Sequence, residues 1–154
     1  MVFALLKQNG VNAELSTEFA KDKVWEQSPK IFQCQEYIFG KQSWKLKRLE
    51  NEVDVVVTDS PLLNSIIYNS NPVLGEDFNN VVVSCHNYYN NINFLLKRNK
   101  PYNPKGRFQT EEESDEIYND IFYMLTHYID SDFVTVNGDQ IGAEKISYLI
   151  MENL

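Results

Sequence analysis

The stretch Val53-Asp-Val-Val-Val-Thr-Asp59-Ser-Pro61 decides the fold class of this chain. Its β-branched residues are nearly continuous, which is typical of a strand buried on both faces of a parallel sheet. The run ends at Asp59-Ser60-Pro61, where the turn-forming residues begin. We therefore predict a short buried strand over residues 53–59 with a carboxylate at its carboxyl end.

Three further stretches predict strands, and helical patterns lie between them. The strands are expected at residues 11–17, 92–96 and 133–136. Alternation of helices with short buried strands is typical of a parallel sheet that carries helices on both faces. We therefore predict a single α/β domain over residues 1–154, built as three layers.

The helix between residues 110 and 128 has the clearest signals. Thr110-Glu-Glu-Glu113 is a capping box, and apolar residues follow it at helical spacing. Residues 81–89 would suit a strand or a helix, and the spacing of Phe78, Val82, Cys85 and Tyr89 favours the helix. Further helices are expected at residues 30–50, after Ser28-Pro29, at 62–68, before Asn9-Gly10, and over a final segment carrying Ile146, Leu149 and Ile150.

The charge and cysteine content narrow the class of protein. The net charge of −8 disfavours nucleic acid and anionic membrane as partners. Cys34 and Cys85 lie among apolar residues, without metal-ligand spacing, and are interpreted as buried structural thiols of a reducing compartment. No apolar run approaches the roughly 18 residues of a membrane span. These features predict a cytoplasmic protein with no membrane partner.

Three acidic residues follow predicted strands: Glu18, Asp59 and Asp139. Ligands of parallel sheets bind outside the carboxyl ends of the strands. Because a strand holds its terminal carboxylate rigidly, Asp59 is a candidate Mg²⁺ ligand for phosphoryl transfer. The alternative is that Asp59 caps the next helix, with Ser60-Pro61 as a turn.

Glu18 is a candidate acid–base residue because its carboxylate could accept a proton from a substrate hydroxyl. The alternative is an ordinary acidic residue at a helix start. The nearby aromatic residues Trp25, Phe32 and Tyr37 could stack on a base, although most aromatic residues belong to the core. His86 and His127 pair with no nucleophile in the sequence and are interpreted as structural.

The segment Lys97-Arg-Asn-Lys-Pro-Tyr-Asn-Pro-Lys-Gly-Arg107 holds five of the 14 basic residues. Its prolines and glycine predict a loop. A basic loop beside a strand end suits closure over phosphates, because arginine offers paired donors and lysine a point charge. The alternative is a solvated loop that pairs with the acidic residues at 111–116.

Taken together, these motifs resemble the P-loop nucleotide kinases. The resemblance rests on Glu18, on Thr58-Asp59-Ser60-Pro61, and on the loop ending at Lys105-Gly-Arg107 with Gln109-Thr110-Glu111-Glu112 after it. It is strongest to the phage and bacterial AAA-type ATP-binding proteins related to nicotinamide-riboside and deoxynucleoside kinases. It implies ATP and Mg²⁺ as cofactors and a nucleoside, nucleotide or related small metabolite as phosphate acceptor.

The resemblance also implies a role for each matching residue. Asp59 would organise Mg²⁺, and Glu18 would be the acid on the substrate side. Arg98 would face the transferred group. Phosphate contacts would fall to Lys105 and Arg107, and Asp139 would lie in the loop near the adenine.

The sequence departs from this family at its most specific motif. G-x-x-x-x-G-K-[ST], which binds the phosphates in that family, does not occur in the sequence. The first helix also has no N-cap residue before it. We therefore expect a kinase-like sheet without its first, central strand, in a chain that begins at an internal Met or whose sheet is completed by a partner or a second copy. Little or no kinase activity is expected, and the alternative is a non-catalytic protein that binds nucleotide or protein.

Overall fold

The computed structural model describes residues 1–105, 110–128 and 133–154. Strands and helices alternate along the chain, as predicted, and each strand lies inside or beside its predicted range. The strands are β1 (Ala13–Ser16), β2 (Val55–Thr58), β3 (Asn93–Lys97) and β4 (Phe133–Asn137). The strand signal in the sequence was therefore reliable for position, although it overestimated the length of β1 and β2 and missed the last residue of β3 and of β4.

Helices precede the first strand, separate the strands and follow the last strand. They are α1 (Val2–Gln8), α2 (Phe19–Trp25), α3 (Gln35–Lys47), α4 (Asn64–Ile67), α5 (Gly75–Asn87), α6 (Glu111–Tyr128) and α7 (Gln140–Met151). The helix favoured for residues 81–89 is confirmed as part of α5. The unbroken helix predicted for residues 30–50 is wrong: a 3₁₀-helix covers Pro29–Gln33, and Cys34 then leaves helical geometry with φ −124° and ψ 74° before α3 begins.

Two helix boundaries follow directly from their sequence signals. Gly10 has φ +82°, a left-handed conformation that glycine adopts without strain, and it lies just beyond the end of α1. The capping box before α6 is formed, because Glu113 N–H donates to Thr110 Oγ1 and Thr110 N–H donates to Glu113 Oε2. Both signals therefore act locally, as the sequence indicates.

All described strand pairs are parallel, but they form two sheets. Strand β1 pairs with β2, with Ala13 opposite Val55, and β3 pairs with β4, with Asn93 opposite Phe133. The prediction of parallel α/β structure is confirmed at this level. The described strands make two two-stranded sheets instead of one continuous sheet.

A shared core lies under both sheets. Leu6 of α1, Ala13 of β1, Val136 of β4, and Ile146 and Ile150 of α7 form one buried cluster. Half-buried side chains of β2 and β3 pack against the same cluster, among them Val55, Val57 and Phe94. Helices α1 and α7 thus hold the two sheets in one body.

A second buried cluster joins β3 to the remaining helices. It includes Leu95 of β3, Phe39 of α3, Phe78 and Val82 of α5, and Met124 and Leu125 of α6. Leu62 and Leu63, which follow β2, belong to it as well. This packing fixes the segment after β2 against α3, and that junction is where the candidate site lies.

The burial of the two cysteines and the lack of an apolar run of membrane-spanning length were also predicted from the sequence. Cys34 and Cys85 are free thiols and half-buried, so the expectation of buried structural thiols is met only in part. Within the described ranges, no helix combines the length and the apolar character needed to cross a membrane.

Candidate functional site

A cavity of about 830 Å³ opens beside the carboxyl ends of β1 and β2. Its wall comes from four segments: the start of α2, the 3₁₀-helix and α3, the segment from Asp59 through α4 to Tyr68, and residues 103–105. The volume is in the range of small-molecule sites. The position agrees with the rule that ligands of parallel sheets bind beyond the strand ends.

Three residues predicted from the sequence meet in this wall: Glu18, Asp59 and Lys105. Their sequence positions are far apart, and each comes from a different segment. With Lys21 they supply two acidic and two basic groups. The wall is therefore balanced in charge although the chain as a whole carries −8, so it is less repellent to an anionic ligand than the average surface.

Asp59 directly follows β2, and its carboxylate makes no hydrogen bond or ion pair with any residue that the structure describes. Ser60 N–H donates to Thr58 Oγ1 at 3.1 Å, which turns the chain at this point. The alternative that Asp59 caps the next helix is wrong, because the N-cap of α4 is Leu63. Asp59 is thus an exposed carboxylate held at a strand end.

Glu18 occupies the N-cap position of α2, but its side chain makes no capping hydrogen bond. The start of α2 is held from α3: Phe19 N–H donates to Gln42 Oε1 at 3.1 Å, and Gln42 Nε2 donates to Ser16 Oγ at 3.4 Å. Gln42 is 4% exposed. One buried amide therefore connects β1, α2 and α3 directly behind Glu18.

Sequence reasoning missed the buried neutral residues of the wall, among them Gln35 and Ser65. Both are buried, with 5% and 6% of their surface exposed. Neither side chain has a hydrogen-bond partner among the described residues. No local pattern marks them, because a glutamine at a helix start and a serine in a short helix are ordinary in sequence, and only the tertiary fold buries them.

The aromatic residues near Glu18 divide between the cavity and the surface. Phe32 is half-buried and lines the cavity, together with Tyr68. Trp25 is 65% exposed and Tyr37 is 42% exposed, so the interpretation that most of these three aromatic residues belong to the core is wrong. Tyr37 instead packs its edge against Phe19, with ring centroids 5.8 Å apart.

Arg98 does not line the cavity. It follows β3, and its guanidinium pairs with Asp115 at 2.5 Å and with Glu111 at 3.4 Å, both on α6. The same guanidinium lies over the ring of Tyr102, 5.7 Å from the centroid. For Arg98, pairing with the acidic residues at 111–116 is confirmed.

Two other predicted residues lie elsewhere. Asp139 is the N-cap of α7: its carboxylate accepts from Gly142 N–H at 2.9 Å and from Asn99 Nδ2 at 3.0 Å. It does not line the cavity. Arg107 lies outside the described residues. Among residues 1–105, 110–128 and 133–154, no group of three or more His, Cys, Asp or Glu side chains could hold a metal ion.

Comparison of the chain with protein-family models, curated proteins and solved structures gave no match.

Proposed function

We propose that this chain is a P-loop nucleotide kinase-like domain whose cavity binds a nucleoside, nucleotide or related small metabolite. The observation that carries the proposal is the convergence of Glu18, Asp59 and Lys105 on one cavity beyond the ends of β1 and β2. The first two residues were selected as carboxylates at strand ends and the third as part of a basic loop. Parallel pairing of β1 with β2 brings the two carboxylates together, and Lys105 joins the same wall from the basic loop.

Each residue of this set has a role that its chemistry suits. Lys105 offers a positive charge to a phosphate, and the half-buried Glu18 can accept a proton from an acceptor hydroxyl. Mg²⁺ is usually held through one or two carboxylates, with substrate phosphates and water completing the shell. Asp59, which has no partner among the described residues, fits that demand. Bound Mg²⁺ would neutralise phosphate oxygens of ATP.

The division into two sheets supports the finer fold proposal. We regard β1–β2 and β3–β4 as two parts of the central sheet of a three-layer fold, because both pack against the cluster of α1 and α7 residues. A further strand between them, from a partner or a second copy, would complete it. An isolated two-stranded sheet is marginally stable, so such an addition would gain backbone hydrogen bonds for both parts.

A second candidate function is nucleotide or protein binding without catalysis. Two observations favour it for this chain. The sequence contains no G-x-x-x-x-G-K-[ST], so the usual phosphate-binding loop is not supplied by these residues. In addition, Arg98 is held by Asp115 and Glu111. We therefore expect binding with little or no turnover, and phosphoryl transfer at about 1–100 s⁻¹ by the purified chain would contradict this.

The test measures ligand binding by titration calorimetry, with and without Mg²⁺. The probes are ribose 5-phosphate and the common ribonucleoside 5′-monophosphates. Lys105→Met should weaken binding of the phosphorylated probes, and Asp59→Asn should remove any dependence on Mg²⁺. Lys145→Met and Asp120→Asn are matched controls, because both positions are exposed and outside the cavity wall. If no phosphorylated probe binds, or if the controls weaken binding as much as the site variants, the proposed function fails.

A further inference from the structure

The most deeply buried residues of the cavity wall carry no charge. Its charged residues are exposed or half-buried: Asp59, Lys21 and Lys105 are exposed and Glu18 is half-buried. Three of its neutral polar residues, Gln35, Gln42 and Ser65, are at least nine-tenths buried, and Ile38 is 8% exposed. The other neutral polar residues of the wall are half-buried or exposed: Ser60, Asn64, Tyr68 and Asn103. A ligand that fills the cavity therefore meets charge at the outer part and neutral polar groups in the deeper part.

Within the deeper part, Gln35 and Ser65 differ from Gln42. Gln42 uses its amide on Phe19 and Ser16. The Gln35 amide and the Ser65 hydroxyl have no partner in the described chain. Among the described residues, the fully enclosed side-chain atoms without a partner are Asn79 Oδ1 and Asn93 Nδ2, so the polar atoms of Gln35 and Ser65 are not sealed from solvent. Because both residues line the cavity, these atoms can pair with a ligand that enters it.

The chemistry of the two residues defines what they would recognise. A glutamine amide offers a donor and an acceptor side by side, and a serine hydroxyl offers both as well. Neither carries charge, so neither offers an ion pair to an ionised group, whose burial is expensive. Phe32, Val24 and Pro61 add apolar surface to the same wall, which suits a flat ring.

We propose that Gln35 and Ser65 determine specificity by binding a neutral planar ring whose edge carries a hydrogen-bond donor next to an acceptor, as in a lactam or a carboxamide. The ring enters first, and the hydroxyl or phosphate end of the ligand remains with Glu18, Asp59 and Lys105. This inference rests on the proposed function, since it names the class of ligand for the same cavity.

The test uses two pairs of nucleosides that differ in one ring donor: uridine with 3-methyluridine, and inosine with 1-methylinosine. Binding to the full chain is followed by protein-observed NMR titration. In at least one pair, the unmethylated nucleoside should bind about tenfold more tightly, because the methyl group removes the ring N–H that donates to the glutamine oxygen. The expected ratio falls to about one in Gln35→Leu.

Two further variants separate recognition from folding. Gln33→Leu is the matched control, because Gln33 is exposed two residues before Gln35 and should keep the wild-type ratio. Gln35→Met retains the length of the side chain and adds no charge, but it removes both the amide donor and the amide acceptor. It should weaken binding of the preferred nucleoside, so it remains informative if Gln35→Leu does not fold. Ser65→Ala should weaken binding of the preferred nucleoside about two- to tenfold.

The outcomes distinguish this inference from the proposed function. If ribose 5-phosphate binds but neither nucleoside pair is discriminated, or if Gln33→Leu abolishes discrimination as Gln35→Leu does, the inference is overturned and the proposed function stands. If neither ribose 5-phosphate nor any nucleoside binds, both are overturned. Loss of discrimination in Gln35→Leu with ribose 5-phosphate binding intact supports the inference.

Discussion

The backbone N–H of Phe19 donates a hydrogen bond to the side-chain Oε1 of Gln42, at 3.1 Å, across the start of α2. This bond joins α2 to α3 through two residues that are 23 positions apart in sequence. It lies directly behind Glu18, so the position of a candidate acid–base residue depends on an amide in another helix. The relationship gives a first test of how the site is built.

We expect Gln42→Met to lower the free energy of unfolding by about 1–3 kcal/mol, because the Phe19 N–H loses its acceptor in a part-buried setting. Chemical denaturation measures the loss. Gln33→Met, an equivalent change at an exposed glutamine, should alter stability by less than about 0.5 kcal/mol. Equal effects at both positions would show that the Phe19–Gln42 bond contributes nothing specific.

The capping box of α6 gives a second prediction. Thr110→Ala removes the oxygen that accepts from Glu113 N–H at 3.2 Å and should cost about 1 kcal/mol of stability. Glu113→Ala removes the reciprocal acceptor for Thr110 N–H. Because the two bonds form one unit, the double variant should lose less than the sum of the single losses. Strict additivity in a thermal denaturation cycle would argue against a formed box.

Replacement by alanine should change stability in opposite directions at two glycines. A Cβ at Gly142 would lie 2.0 Å from the carbonyl oxygen of Asn137, so Gly142→Ala must push the start of α7 away from the end of β4. The expected loss is about 3 kcal/mol. Gly40 lies within α3, where a Cβ meets nothing within 4 Å. Gly40→Ala should therefore raise stability by about 0.5–1 kcal/mol.

Thermal denaturation of both variants is the measurement. A stable Gly142→Ala protein would show that α7 can withdraw from β4 at little cost, and would contradict the close approach of these two elements.

His86 gives a prediction about pH. It lies in α5 with 4% of its surface exposed, and burial lowers the pKa of His86 below its ordinary value of 6.5. The unfolded chain therefore binds this proton more readily than the folded chain. The contribution of neutral His86 to the free energy of unfolding is therefore fully present above pH 6.5. It is lost as the pH falls from there through the lowered pKa of the folded state.

His86→Gln should flatten this part of the pH profile of unfolding, whatever its effect on absolute stability. His127→Gln is the control, because His127 is exposed near the end of α6. The comparison is made by urea denaturation between pH 5 and 8. An unchanged slope in His86→Gln would assign the acid sensitivity to other groups.

Local signals in the sequence predicted most of the elements. The β-branched run at residues 53–59, the capping box at Thr110 and the stop at Gly10 each depend on neighbours within a few residues, and each is confirmed. The break at Cys34 was missed because helical residues flank it on both sides and only its dihedral angles depart from the helix. Tertiary packing, not local preference, sets such breaks.

Only part of the candidate site could be predicted, because some of its residues have a local sequence signal and others are recognised only from tertiary packing. Charged residues at strand ends and in a basic loop stand out in sequence, and this selected Glu18, Asp59 and Lys105. The neutral groups, Gln35 and Ser65, stand out only by burial without a partner, which requires the fold. The exposure of Trp25 and Tyr37 also depends on how α2 and α3 pack, which no residue pattern near them specifies.

The division of the strands into pairs has a consequence for association. Each two-stranded sheet has two outer edges, so the described strands present four edges where a single four-stranded sheet would present two. Every edge offers backbone N–H and C=O groups to another chain. All four residues of the valine-rich β2 are only half-buried. Refolding at high concentration should therefore favour edge-to-edge aggregation, and β2 is the strand from which we expect it to begin.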